Sequence, residues 1–189
     1  MKRAAIALVA ILVASPAFAT GEILGIITDA DQKRLDAYEA TRAEAVTQAE
    51  KGDTADIATL ESVLDAEHRP FEGFDMMGDW QCRTIKAGGL ADLVVYSWFR
   101  CRVTDDGSGW RLEKLTGSQR TTGRFFTDSD TRLTYLGVGT VNNDPAPAYG
   151  SGPDSDQAGY AFRTGESEWH IEFPAPARES KLDILQFRR

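Results

Sequence analysis

Along the first third of the chain apolar residues return every three or four positions, and beyond Gly78 they return every second one. The first rhythm is that of helices with one buried side, the second that of half-buried strands. Leu35, Tyr38, Ala45 and Ala49 share one face of a helix expected over residues 28–51. Thr28 or Asp29 opens it, Gln32 follows Asp29 by three positions as in a capping box, and Gly52 closes it. Ile57, Leu60, Val63 and Leu64 form the stripe of a second helix over 55–68, capped by Asp53 or Thr54 and stopped by Pro70. The short gap between them predicts an antiparallel helical hairpin. Its stripes are narrow and rich in Ala, so it should lie on another surface rather than fold by itself.

After residue 78 the alternation predicts strands near 79–86, 93–103, 109–115, 119–127, 131–138, 158–163, 168–173 and 181–188. Turn sequences separate them, among them Asp105-Asp106-Gly107-Ser108, Thr116-Gly117-Ser118 and Thr164-Gly165-Glu166. Residues 141–157 are the one long irregular connection. Eight short strands with mostly tight turns predict an antiparallel meander closed into a small barrel, which leaves no exposed edge. The expected fold class is therefore α+β, a helical hairpin on an eight-stranded barrel. It divides the chain into residues 1–19, 20–77 and 78–189.

The two cysteines, Cys82 and Cys101, fall in the first two of these strands, on either side of the turn-rich Ala87-Gly88-Gly89-Leu90-Ala91-Asp92. A simple hairpin would set Cys82 opposite Cys101 and Arg83 opposite Arg100. Residues 1–19 read as a secretory signal peptide: Lys2 and Arg3, an apolar run from Ala4 to Ala14, and the small-x-small site Ala17-Phe18-Ala19. Such a leader implies export, most simply to a bacterial periplasm, and no transmembrane segment after its removal. In an oxidising compartment the lone cysteine pair reads as a structural disulfide. It lacks the Cys-x-x-Cys spacing of a redox site.

Charge changes the picture further. The formal net charge is −8, which argues against a general nucleic-acid binder. Residues 20–79 hold 5 basic and 15 acidic side chains, whereas residues 80–124 hold 8 basic and 4 acidic ones. Arg83, Lys86, Arg100, Arg102, Arg111, Lys114, Arg120 and Arg124 fall on four successive expected strands. Of these, Arg83, Lys86, Arg100, Arg102, Arg120 and Arg124 are the candidate ligand-binding residues, forming a basic strand face for an anionic small molecule or an acidic protein partner. The competing use of that face is to dock the acidic helical hairpin of the same chain. Tyr96 and Trp98 are further candidates to face a ligand, and the other large aromatics read as core.

Other chemistry finds little footing. His68 and His170, the only histidines, lack zinc spacing, and His170 reads as a partly buried structural residue. No Gly-x-Ser-x-Gly elbow occurs. Asp128-Ser129-Asp130 and Asp154-Ser155-Asp156 read as turns rather than calcium loops. No metal site and no cofactor are expected.

Two resemblances add to this reading. Gly78-Asp79-Trp80 at the start of the first strand, with Arg188 ending the last, is similar to the arrangement in calycins such as lipocalins and bacterial metalloprotease inhibitors. It implies a barrel with a late basic side chain over Trp80. A match over nearly the whole mature chain rests on Gly78-Asp79-Trp80-Gln81-Cys82-Arg83-Thr84-Ile85-Lys86, Trp98-Phe99-Arg100-Cys101-Arg102, Leu115-Thr116-Gly117-Ser118-Gln119-Arg120 and Glu179-Ser180-Lys181-Leu182-Asp183. These segments resemble a secreted alphaproteobacterial family of domains of unknown function, which brings no catalytic residues with it. The expectation is a non-catalytic binding or interaction module. An inhibitor of a secreted or periplasmic hydrolase, and an enzyme whose site the sequence does not display, are the alternatives.

Overall fold

The computed structural model describes residues 23–189, so the expected signal peptide lies outside the described residues. Among the described residues three helices, α1 (Asp29–Asp36), α2 (Tyr38–Ala49) and α3 (Thr54–Leu64), precede the strands. Thr28 caps α1 by accepting the Asp31 N–H at 3.3 Å, and Asp53 caps α3 by accepting the Ala55 N–H at 2.8 Å. The single helix expected over 28–51 is broken at Ala37, which leaves the helical region with φ −90° and ψ 4°. The break re-aims the chain. Leu35 of α1 packs with Leu136 and Ala158, while Ala45 and Ala49 of α2 pack with Ile85, Ala87, Leu182 and Ile184. A straight helix cannot follow a curved sheet over that distance.

Nine strands follow: β1 (Gly78–Gly89), β2 (Leu93–Val95), β3 (Phe99–Asp105), β4 (Trp110–Lys114), β5 (Gln119–Thr127), β6 (Leu133–Val141), β7 (Asp156–Arg163), β8 (Glu168–Pro174) and β9 (Ser180–Arg188). Each long strand pairs antiparallel with its neighbour, and β9 returns to β1, closing an eight-stranded barrel with β2 as an extra strand. The strand expected over 93–103 is thus divided. Between Ile85↔Val95 and Cys82↔Phe99 there are two residues on β1 but three, Tyr96–Trp98, across from them. That is the extra residue of a bulge, and it shifts the register. Trp80 rather than Cys82 stands opposite Cys101, and the disulfide Cys82–Cys101 joins a diagonal pair with Cα atoms 5.9 Å apart. Arg83 does not face Arg100. It lies opposite Gln186 of β9 and donates to its Oε1 at 2.6 Å.

The barrel interior is packed with aromatic rings at the end where β1 begins. Trp169 stacks on Phe187 at 3.6 Å between centroids and meets Trp80 and Phe125 edge-on, each at 5.7 Å. Phe71, Phe74 and Met76, from the segment between α3 and β1, join this cluster and seal that end. The Trp80 indole N–H donates to the Met76 carbonyl at 2.8 Å, so the plug is latched as well as packed. Arg189, rather than the expected Arg188, lies over the Trp80 ring at 3.9 Å. Arg188 lies instead over Trp98.

Halfway up, Gly123 of β5 stands opposite Gly137 of β6. A Cβ on Gly123 would come within 2.6 Å of the Tyr135 ring and 2.5 Å of the Gly137 Cα. The missing side chains make the slot in which that ring lies. Outside the barrel, α2 covers β1 and β9, α1 leans on β7, and α3 leans on β2. Strand β1 is consequently buried on both faces over Ile85–Gly88, and β9 over Ile184 and Leu185. The helices leave the outer side of β3, β4 and β5 bare, although those strands carry much of the basic charge.

Beneath α2, Glu172 of β8 is fully buried between Arg42, at 2.9 Å, and His170, at 3.2 Å. Burial alone would raise its carboxyl, but His170 and Arg42 hold it below the usual range. His170 is 1% exposed, more deeply buried than the sequence implied. This ion pair docks the helical layer; the network is satisfied internally.

Candidate functional site

The alternation that places Trp80 and Cys82 inside the barrel continues along β1 to Thr84 and Lys86. At the end away from the aromatic cluster, these inward positions are polar. Lys86 pairs with Asp183 at 3.0 Å and with Glu179 at 3.4 Å. Ser180 also hydrogen-bonds Asp183. Burial pushes the Asp183 carboxyl up, while Lys86 and Ser180 pull it down. Gln119 donates to Glu179 at 3.2 Å, and that bond together with Lys86 keeps Glu179 below its ordinary range.

Lys114, at the end of β4, enters the same space without a carboxylate. Only 6% of it is exposed. Its ammonium donates to Thr84 Oγ1 at 3.1 Å and sits 4.6 Å from the centre of the Phe99 ring. Burial pushes its amine down to about 8, with the nearby charges of Lys86 and Arg120 acting in the same direction and Asp183 opposing them. Next to it, Thr121 donates to Gln157 Oε1 at 2.6 Å, so the Tyr135 hydroxyl must be the donor in its 2.7 Å bond to Thr121. Burial raises the Tyr135 phenol, which stays protonated.

Three small cavities adjoin here, of about 50, 80 and 70 Å³. Gln119 lines all three. Lys114 and Arg120 line the first, Lys86 and Arg120 the second, and Lys86, Lys114 and Tyr96 the third. Outside the rim a wider cleft of about 240 Å³ touches Lys114, Arg120, Thr140 and Asn142. The mouth is a set of small polar chambers lined by four cations, Lys86, Lys114, Arg120 and Arg178, of which Lys86 is paired with Asp183 and Glu179.

The eight basic residues singled out in the sequence do not form one face. Lys86 and Lys114 point inward, and Arg120 stands at the rim with its Nε donating to the Gly117 carbonyl at 3.1 Å. Arg83 and Arg188 lie over the Trp98 ring at 4.7 and 4.0 Å. Arg102 pairs with Asp79 at 2.6 Å, and Arg124 pairs with Asp106. Arg100 is exposed, and Arg111 lies directly across from Arg124 on the outer surface. Of the six candidates, the mouth therefore collects Lys86 and Arg120. Asp183, Thr84, Thr121 and Gln157 were not anticipated. Their signal was present, because each sits on the inward parity of its strand, but parity becomes a site only when strand ends are known to converge.

Comparison with known proteins agrees with the family assignment and goes no further. Residues 24–187 match the family described as Domain of unknown function (DUF4893), and the chain belongs to that family. No curated protein and no solved structure gives a significant match.

Proposed function

We propose that this member of the family is a non-catalytic periplasmic binding protein that takes a small anionic molecule, a carboxylate or a phosphate, at the barrel mouth. The observation that carries the reading is Lys114: a buried ammonium beside a cavity, with a hydroxyl and a ring face for partners and no carboxylate of its own. An unpaired buried charge is costly, and a bound anion would relieve that cost. Lys86 and Arg120 flank the same space and add to its attraction for negative charge.

Export is supported by the disulfide, since such bonds persist in oxidising compartments. Among the described residues no helix is long and apolar enough to cross a membrane. The inhibitor alternative needs a segment free to enter a cleft. Two segments could serve, residues 20–28, of which 20–22 lie outside the described residues, and the loop 141–157; the loop is tied to α1, through Arg34 to the Pro153 and Asp156 carbonyls and through Tyr149 to Asp31. An acidic protein partner would have to use the outer arginines, two of which already hold carboxylates of this chain.

The test is a titration with inorganic phosphate and with acetate, followed by amide chemical shifts. Shifts should gather at Thr84, Lys114 and Gln119 and weaken with added salt. Arg120→Ala should reduce the affinity, and Arg100→Ala should not. Shifts spread over the outer arginines, or an equal loss in Arg100→Ala, would reject the mouth as the site.

A further inference from the structure

The mouth holds two lysines in opposite circumstances. Lys86 is locked as an ammonium by two carboxylates at 3.0 and 3.4 Å. Among the described residues Lys114 has no carboxylate within ion-pair distance; it is nine-tenths buried and shares one cavity with Arg120 and another with Lys86. Desolvation beside other cations is the arrangement that leaves a lysine amine neutral and nucleophilic. The burial that makes the Lys114 ammonium costly, and so a partner for an anion, also enlarges the neutral, nucleophilic share of its amine.

We infer that Lys114 captures its ligand covalently, forming a reversible imine with the carbonyl carbon of a small 2-oxo acid whose carboxylate rests against Lys86 and Arg120. The inference rests on the anion-binding reading and narrows its ligand to one class. The Lys114 nitrogen lone pair attacks the carbonyl carbon, and the oxygen takes the proton that the nitrogen loses, giving a carbinolamine. A second proton, taken up from solvent at the open mouth, lets that oxygen leave as water, and the C=N bond forms. The imine nitrogen returns its remaining proton to solvent. One amine and one carbonyl become one imine and one water, with no change of oxidation state. Water re-entering the mouth reverses the step. The chambers suit a two- or three-carbon acid, and a longer substituent would extend into the cleft outside the rim.

The experiment uses the full chain with its disulfide intact, incubated at pH 7 with glyoxylate and sodium cyanoborohydride and then mapped by peptide mass spectrometry. Reduction turns a glyoxylate imine into a stable carboxymethyl-lysine. Lys181, which is 39% exposed and pairs with Glu44 at 3.1 Å, is the internal reference. Adduct on Lys114 should exceed that on Lys181 by about tenfold or more, since an amine near 8 is neutral at pH 7 on the order of a hundred times more often than an ordinary lysine. Excess inorganic phosphate should suppress it. Adduct spread over the exposed lysines, with Lys114 no richer, overturns the inference. If glyoxylate shifts the mouth amides but leaves no adduct on Lys114, covalent capture is wrong and the anion site stands. If it neither shifts them nor reacts, both fall. The map is read on the unaltered chain, so the result does not depend on how a Lys114 variant folds.

Discussion

At one end of the barrel Trp80, Trp169, Phe125 and Phe187 fill the interior with rings, and the segment carrying Phe71, Phe74 and Met76 closes it. At the other end the same strands, following the same alternation, turn inward Thr84, Lys86, Lys114, Thr121 and Asp183. Nothing in the backbone demands the difference. A small barrel can be filled along its whole length with apolar side chains, and burying two lysines costs stability that leucines would supply. The closed end is where the fold is held together; the mouth gives up stability where we propose the binding site. Tyr135 stands at the boundary, its ring slotted over Gly123 and Gly137 and its hydroxyl bonded to Thr121.

If that division holds, the largest losses belong to the closed end. Trp169→Ala should lower the unfolding free energy by about 3–5 kcal/mol, read from urea denaturation. A smaller loss there than at the mouth would contradict the comparison. Replacing both cysteines with alanine should cost about 3 kcal/mol, because it frees a loop spanning a sequence separation of 19 in the unfolded chain.

At the mouth the sign reverses. The Lys114 amine lies near 8 in the folded chain and near its ordinary, higher value when unfolded, so between those values the unfolded chain binds the extra proton. Stability from this residue should be lowest below pH 8 and should rise by roughly 2–3 kcal/mol toward pH 10. Lys114→Met should remove that rise and should be at least as stable as the parent at pH 7. A variant that keeps the parent's alkaline profile would show that Lys114 is not the group responsible. Thr121→Val should cost about 1 kcal/mol, through the Tyr135 hydroxyl left without an acceptor. Smallest of all, Arg102→Ala should leave the melting midpoint where it was, since its pair with Asp79 is a solvent-exposed one.

Much of the architecture could be read from the chain. Caps at Thr28 and Asp53 lie where local hydrogen bonding wants them, and most strand limits follow turn residues whose preferences act over a few positions. The disulfide was legible because only two cysteines exist. The break at Ala37 was not, since Ala favours a continuing helix and only the curvature of the surface below forbids it. The bulge at Tyr96–Trp98 was equally hidden. It falls between the pairings of β2 and of β3 with β1. Strand β9, about a hundred residues away, brings Gln186 to Arg83, and the supposed basic face is dispersed into separate pairs.

Alternation, caps, turns and cysteines by themselves determined an α+β chain with an antiparallel, disulfide-pinned barrel, because each acts between residues close along the backbone or leaves a single partner possible. Which lysine is neutralised and which stands alone was decided only by the tertiary structure. Lys86 meets Asp183 because β9 closes on β1, and Lys114 reaches the same space because β4 ends at the same rim. A site made of strand ends exists only after the barrel has closed.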